Sequence, residues 1–193
     1  MRLAVKTLLL ILALAAIASA QTQNFNITTK YDRFTDQTTV EVVIELIPGV
    51  VDLGGGSVYV PQGTGGKSAK LIVVGGIKGR DIEKSIPEVH IVFLSVSSDW
   101  LYLKTENTMR VILDGKDRLT IGTMKRVGSK VLRTGNRVIE ELDTGTSFPT
   151  IERLARGNKV EIQIGISEFE LKPEHIQDLK KWIERFPTAQ SKP

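Results

Sequence analysis

Apolar and polar side chains alternate along most of this chain, with the period of two that is typical of β-strands. The alternation runs through residues 25–31 and again through 40–46, and the polar stretch 32–37 between them predicts a hairpin turn. Residues 89–96 are almost continuously apolar, as in a strand that is buried on both faces. These patterns predict a protein that is built mainly of β-strands.

Turn-forming residues divide the middle of the chain into further pairs of strands. Residues 109–121 contain Asp114-Gly115 at their centre, and both residue types adopt the positive φ angles that a tight hairpin needs. Residues 127–142 have the same organisation around a turn at 134–136. Two more hairpins are therefore expected, and they follow one another directly in the sequence.

The segment 49–79 is rich in glycine, which weakens a strand or marks a break in it. Only short strands at 58–60 and 71–74 are therefore predicted there, between glycine-rich loops. Near the end of the chain, alternation at 160–164 and the apolar positions of 169–171 predict two more strands.

Two segments have the spacing of helices. A short helix follows Pro149 and ends at Gly157, and a longer one begins at Pro173 and stops before Pro187. Their predicted inner sides are Ile151 and Leu154 in the first helix, and Ile176, Leu179, Trp182, Ile183 and Phe186 in the second. The whole pattern predicts an antiparallel β-sandwich or a partly open barrel with a C-terminal amphipathic helix, in a single domain over residues 21–193.

The first twenty residues have the parts of a secretory signal peptide. A positively charged start is followed by the uniformly apolar residues 8–16, and Ala18 and Ala20 are the small residues that a signal peptidase reads. We therefore expect a signal peptide over residues 1–20 with cleavage after Ala20, and a secreted or periplasmic mature protein. The apolar run is too short for a mature membrane span, and no later segment has the length of one.

Charge and cysteine content narrow the classes of partner. The formal net charge is +4, and it falls to about +2 once Arg2 and Lys6 leave with the signal peptide. A chain so close to neutral has no global attraction to nucleic acid, so nucleic acid is not expected as a partner. There is no cysteine, which excludes disulfides and a lipid-modified cysteine after the signal peptide. No cofactor is expected.

Residues 61–68 resemble a Walker A loop in which proline replaces the first glycine. Such a loop needs a strand before it and a helix after it, so that backbone N–H groups and Lys67 can cradle a phosphate. Residues 71–74 are β-branched and are followed by two glycines, so they do not predict a helix. The segment is interpreted as a surface loop.

The two histidines, His90 and His175, do not predict a catalytic or metal site. His90 lies about 25 Å along its strand from Ser97 and Ser98, which is too far for a Ser–His pair. His175 is interpreted as a half-buried packing residue in the first turn of the last helix. Two distant histidines without cysteine argue against zinc, and no catalytic or metal-binding residue is predicted.

A cluster of basic side chains is the strongest binding signal in the sequence. The candidate site for an anionic ligand consists of Arg118, Lys125, Arg126, Lys130 and Arg133. On two adjacent hairpins these side chains can share one face and bind an anionic polymer or lipid head group of the cell envelope. The alternative is an ordinary solvated sheet face that is neutralised by acids on neighbouring strands, namely Glu140, Glu141, Glu161 or Glu170.

Trp100 and Tyr102 follow the apolar strand at 89–96 and provide a second, weaker binding signal. Exposed aromatic rings at the end of a strand can stack on a sugar ring. Aromatic residues in this position more often cap the hydrophobic core beneath a turn, and that interpretation is favoured here.

Four short segments resemble those of a loose family of small exported bacterial β-rich proteins. They are Tyr31-Asp32-Arg33-Phe34-Thr35-Asp36, Ser98-Asp99-Trp100, Leu113-Asp114-Gly115 and Glu168-Phe169-Glu170-Leu171. The resemblance extends over most of the mature chain. It implies an exported, single-domain, β-rich protein, and it implies no site residue because that family has no assigned activity.

These observations favour an exported, non-catalytic binding or interaction module of the cell envelope, whose partner is an anionic envelope polymer or another exported protein. An envelope hydrolase is the alternative, and it would need a carboxylate pair in a deep cleft with pKa values shifted in opposite directions. A third possibility is a structural or inhibitory partner that presents an exposed strand edge or a glycine-rich loop.

Overall fold

The strands of the computed structural model form two antiparallel sheets that face each other. The structure describes residues 26–48, 67–82, 87–102, 107–132 and 137–187. Within them the strands are β1 (Ile27–Asp32), β2 (Gln37–Ile47), β3 (Ser68–Lys78), β4 (Glu88–Ser97), β5 (Thr108–Leu113), β6 (Asp117–Thr123), β7 (Lys125–Leu132), β8 (Arg137–Thr146), β9 (Val160–Ile164) and β10 (Ser167–Leu171). The helices are α1 (Phe148–Arg156) and α2 (Pro173–Ile183).

Several sequence predictions fall on residues that are not described. They are the signal peptide at 1–20, the strand at 58–60, the loop at 61–66 and the turn at 134–136. Lys67 and Ser68, at the end of the Walker-like segment, are described, and Ser68 begins β3 rather than a helix. A phosphate-binding loop would be followed by a helix, so the strand is consistent with the interpretation of this segment as a surface loop.

The fold is an antiparallel β-sandwich, so the sandwich rather than the barrel is the correct one of the two predicted architectures. The large sheet has the order β1-β2-β3-β4-β8-β7, and the small sheet has the order β10-β9-β5-β6. Their inner faces form the core, in which Phe93 and Leu142 of the large sheet and Ile162 of the small sheet are completely buried. The small sheet meets the large one at β2 and β8. Strands β1 and β7 lie outside the contact between the two sheets, and their side chains are largely exposed.

The predicted hairpins are confirmed in both sheets. Asp114 and Gly115 have φ angles of +52° and +69°, and the N–H of Lys116 donates to the carbonyl oxygen of Leu113 at 3.0 Å. This geometry is the tight turn that an Asp-Gly pair favours. β4, which was predicted to be buried on both faces, lies between β3 and β8, but both of its faces are buried only from Phe93 onward, since His90 and Val92 are partly exposed.

The prediction of a glycine break after residue 74 is wrong, because β3 continues through Gly75 and Gly76. A Cβ atom at Gly75 would lie 2.7 Å from the ring of Phe186 and 2.8 Å from the ring of Trp182. Glycine is therefore needed at this position for space. It lets the aromatic side chains at the end of the described chain lie directly on the sheet.

Helices α1 and α2 pack on each other, and α2 also packs on β2. The hydroxyl of Ser147 caps α1 by accepting the N–H of Thr150 at 3.3 Å. The predicted stripe of α2 is confirmed, since Ile176, Leu179, Trp182 and Phe186 are buried. Neither helix of the described chain has the length and apolar character that crossing a bilayer requires.

Candidate functional site

Strand β7 is the outer edge of the large sheet and carries three of the five predicted anion-binding residues. Lys125, Arg126 and Lys130 are all exposed. Val127 and Val131, on the same strand, each expose 58% of their surface. We call Lys125, Arg126 and Lys130 the basic edge. The side chains of the basic edge therefore reach solvent on both faces of β7.

A β-bulge in β7 sets the directions of these side chains. Lys125 and Lys130 are five residues apart, so they would point to opposite faces of a regular strand. The pairing with β8 is shifted between Arg126 and Gly128, which inserts one extra residue into β7. The partners of the two lysines, Asp143 and Ile139, are consequently four residues apart, so both lysines lie on the outer face of the sheet. Arg126 lies on the opposite face.

Glu140, one of the acids that were expected to neutralise this edge, has a different role. Its side chain is fully buried. Its carboxylate accepts the backbone N–H of Leu101 at 2.9 Å and that of Tyr102 at 3.1 Å. Glu140 therefore fixes the turn after β4, and its charge is directed into the protein rather than toward β7.

Glu161 and Glu170 also have other partners. Their carboxylates lie 2.9 Å and 3.5 Å from Nζ of Lys159, and the hydrogen bond that Lys159 donates to Glu161 is the main cause that raises the pKa of Lys159. Glu141 and Asp143 are the acids that remain near β7. The carboxylate of Glu141 lies over the bulge, 2.9 Å from where a Cβ of Gly128 would stand, and Asp143 is the register partner of Lys125. Within the described chain, no side chain of the basic edge forms an ion pair.

Arg118 lies on β6, in the small sheet, and not with the basic edge. It lines a groove of about 610 Å³ on the outer face of that sheet, together with Arg110 and Gln163. Arg110 donates to Oε1 of Gln163 at 3.4 Å, and Gln163 donates to Glu168 at 3.4 Å. Arg133 lies outside the described residues. The fold thus brings together three of the five predicted residues and separates the fourth from them.

His90 lies on the outer face of β4, where its Nδ1 is 3.1 Å from a carboxylate oxygen of Asp143. Ser97 lies on the other face, and its hydroxyl donates to the carbonyl oxygen of Asp99. The prediction that His90 does not pair with a nearby serine is confirmed for Ser97. Nowhere in the described ranges do three or more metal-binding side chains come close enough to hold an ion.

The structure corrects the interpretation of His175 as a half-buried packing residue. His175 is buried, and its Nδ1 accepts the backbone N–H of Lys172 at 3.2 Å, so it caps the start of α2. Burial is the main cause that lowers the pKa of His175, and the nearby charge of Lys172 acts in the same direction.

Two arrangements of carboxylates, at Glu161 and Glu170 and at Asp32, bear comparison with the site that a hydrolase would need. Glu161 and Glu170, which face each other across β9 and β10, lie on an open sheet face and share Lys159. The pKa of Asp32 is lowered, chiefly by the backbone N–H of Phe34, but Asp32 lies in the exposed first turn. Neither arrangement is a pair in a deep cleft.

Tyr102 caps the core, as the favoured interpretation of the aromatic residues predicted. Its ring is buried and packs edge-on against Phe93, with the ring centroids 5.2 Å apart. Its hydroxyl donates to Ser167 at 2.7 Å. The buried hydroxyls of Ser68 and Ser95 have no hydrogen-bond partner among the described residues. The sequence did not predict either unpaired hydroxyl, since it placed Ser68 in a surface loop and Ser95 in a buried strand.

Comparisons of the chain with known proteins give no further assignment. No family model, no curated protein and no solved structure matches it. The functional conclusions below therefore depend on the geometry of the chain itself.

Proposed function

We propose that the mature protein is an exported, non-catalytic binding module that holds an anionic polymer of the cell envelope along the basic edge. The observation that carries this proposal is the alignment of Lys125 and Lys130 on one face of an edge strand by the bulge. Because their partners on β8 are four positions apart, the two lysines are about 13 Å apart along the strand. That spacing suits a ligand with repeated negative charges better than a single anion.

The distribution of acids supports the same proposal. Glu140, Glu161 and Glu170 bind other groups, and this leaves the three cations of the basic edge opposed by Glu141 and by Asp143, which also lies 3.1 Å from Nδ1 of His90. Exposed ion pairs are worth about 0.2–1 kcal/mol each, so three such contacts would give weak binding that depends on a multivalent ligand.

A polymer is a better match than a protein that adds a strand to β7. Lysine and arginine on an edge strand, together with a bulge, hinder pairing with another chain. Those same charges attract a polyanion, whose backbone need not form regular hydrogen bonds with the strand. Another exported protein as partner is therefore the less favoured choice.

The test is binding of residues 21–193 to immobilised polyphosphate, with neutral dextran as the reference surface. The triple variant Lys125→Gln, Arg126→Gln and Lys130→Gln should weaken binding at low salt about tenfold. The control Lys30→Gln, Lys116→Gln and Arg156→Gln removes three exposed charges elsewhere and should bind like the wild type. Equal losses in both variants, or binding that does not weaken between about 0.1 M and 1 M salt, would contradict the proposal.

A further inference from the structure

The outer face of the small sheet carries opposite charges on its two halves. Cross-strand pairing arranges the side chains of this face in two rows that cross β6, β5, β9 and β10 in that order. One row consists of Arg118, Ile112, Glu161 and Glu170, and the other consists of Thr120, Arg110, Gln163 and Glu168. Both arginines therefore lie on the β6–β5 half of the face, and all three glutamates lie on the β9–β10 half.

These opposite charges do not pair with each other within one molecule. Arg118 and Glu170 lie on the two outermost strands of the sheet, three strand spacings or about 14 Å apart. In the other row, Gln163 lies between Arg110 and Glu168 and bonds to each of them at 3.4 Å. Within the described chain neither arginine forms an ion pair, and both are exposed, so their guanidinium groups are available to an external carboxylate.

Lys159 makes this face neutral as a whole. It lies just before β9, with its Nζ 2.9 Å from Glu161 and 3.5 Å from Glu170. Glu170 still exposes 61% of its side chain and can accept a second cation. Three cations and three acids thus share the face, namely Lys159, Arg110, Arg118, Glu161, Glu168 and Glu170. Two copies of the face therefore do not repel each other through net charge, and their interaction depends on which halves meet.

Two copies of this face complement each other in one orientation. When they pack face to face about a twofold axis that runs along the strands between β5 and β9, each β6 lies over β10 of the other copy. The axis preserves position along the strands, so Arg118 faces Glu170 of the second copy, and symmetry forms this pair twice. Arg110 faces Gln163 of the second copy, next to Glu168. An axis perpendicular to the strands would instead place each β10 on the other β10, with glutamate opposite glutamate.

The dimensions of the face suit such a contact. Sheets that pack face to face lie about 10 Å apart, a distance that an arginine and a glutamate side chain reaching toward each other span together. The groove of about 610 Å³ on this face gives room for side chains of the second copy. The face is only four strands wide and its strands are five to seven residues long, so the contact is smaller than that of a permanent dimer. We therefore expect monomer and dimer to exchange.

We propose that the outer face of the small sheet is a self-complementary interface, through which two copies of this protein form a reversible twofold dimer held by Arg118 of each copy on Glu170 of the other. The dimer carries two basic edges. The interface shares no residue with the basic edge, so dimer formation does not depend on polyanion binding.

Analytical ultracentrifugation of residues 21–193 at concentrations up to about 1 mM tests the dimer. The wild-type protein should change from monomer to dimer as its concentration rises, and the dimer should weaken at least tenfold between about 0.05 M and 1 M salt. Arg118→Glu alone and Glu170→Arg alone should each weaken it at least tenfold, because each places like charges opposite each other twice. Wild-type protein that stays monomeric throughout would overturn the proposal and leave the face to a ligand that bears both charges.

Exchange of charges tests the assigned pair directly. An equimolar mixture of the Arg118→Glu and Glu170→Arg proteins should form a heterodimer, because both of its cross pairs join opposite charges. The double variant Arg118→Glu and Glu170→Arg keeps the wild-type net charge and should dimerise within about twofold of the wild type. A double variant that stays monomeric would overturn the proposal.

Two further controls separate this interface from net charge and from the basic edge. Arg156→Glu and Glu184→Arg make the same changes of net charge at exposed positions of the helical region, and each variant should dimerise like the wild type. Equal losses in these controls and in the variants of the proposed pair would contradict the interface. The triple variant of the basic edge should dimerise normally, which distinguishes failure of the interface from failure of polyanion binding.

Discussion

The indole nitrogen of Trp182 donates a hydrogen bond to the carbonyl oxygen of Val40 at 2.8 Å, across 142 positions of sequence. The same side chain packs against Phe186, with the two ring centroids 4.9 Å apart, and both rings lie over Gly75. This contact holds α2 against the inner face of the large sheet. Stability therefore depends on contacts between the two ends of the described chain.

Substitution of Gly75 by alanine should destabilise the protein by about 1–3 kcal/mol, because a Cβ would overlap two buried aromatic rings. Urea unfolding followed by tryptophan fluorescence measures this change. Gly76→Ala is the matched control, since its Cβ would meet nothing closer than 3.9 Å. The control should be neutral or stabilise the protein by about 0.4–1 kcal/mol. Equal effects of the two substitutions would show that the rings do not lie on the sheet at Gly75.

Substitution of Glu140 by alanine should cost about 2–4 kcal/mol, because the part-buried N–H of Leu101 and the buried N–H of Tyr102 both lose their acceptor. Hydrogen-exchange measurements should show that the amides of Leu101 and Tyr102 in particular exchange faster in the variant than in the wild type. Glu141→Ala changes the neighbouring acid, which makes no such bonds, and should cost less than about 0.5 kcal/mol. Unchanged exchange at Leu101 in the Glu140 variant would contradict the assigned role.

The buried cap at His175 should make stability depend on pH. Because its pKa in the folded protein is below the ordinary value of 6.5, the unfolded chain takes up the proton first as the pH falls. Above pH 6.5 the group is neutral in both states and contributes nothing, and below pH 6.5 stability is progressively lost.

His175→Asn tests this dependence, since the amide oxygen can still accept the N–H of Lys172 but does not titrate. Free energies of unfolding of the two proteins are compared between pH 7.5 and 5, a range set by the ordinary pKa of about 6.5 for histidine. Their difference should change in favour of the asparagine variant as the pH falls. A difference that stays constant over this range would contradict the lowered pKa. Titration of His90 cancels in the comparison, because both proteins contain this residue.

The two faces of β7 should contribute unequally to polyanion binding. The double variant Lys125→Gln and Lys130→Gln removes both lysine charges from the outer face of β7. The double variant Arg126→Gln and Lys116→Gln removes the same amount of charge but keeps both lysines on that face. The first pair should lose several times more affinity for polyphosphate at low salt than the second. Glu141→Gln should strengthen binding, because it removes the carboxylate over the bulge. Equal losses in the two pairs would indicate attraction by net charge alone.

Much of the fold was predictable because its signals are local. Alternation located most strands, Asp114-Gly115 located a hairpin, and the stripe of α2 predicted its buried side. The continuation of β3 through Gly75 was not predictable, since the reason for that glycine is an aromatic pair far away in the sequence.

The sites were predictable only in part. The basic residues are visible in the sequence, but a bulge that turns Lys125 and Lys130 to one face depends on pairing with β8. The separation of Arg118 from them depends on the change of sheet between β6 and β7. The unpaired hydroxyl of Ser95 gives no pattern in the sequence, because it depends on where the opposite residue, Glu140, directs its carboxylate.

The position of Trp182 over Gly75 also has a consequence for the order of events during synthesis. Every described strand of the large sheet has been made once the chain reaches Thr146, whereas the rings that cover Gly75 come much later. During that interval the carbonyl of Val40 and part of the inner face remain in contact with water. This part of the core is therefore buried only after α2 has been synthesised, and pairing of the strands alone does not bury it.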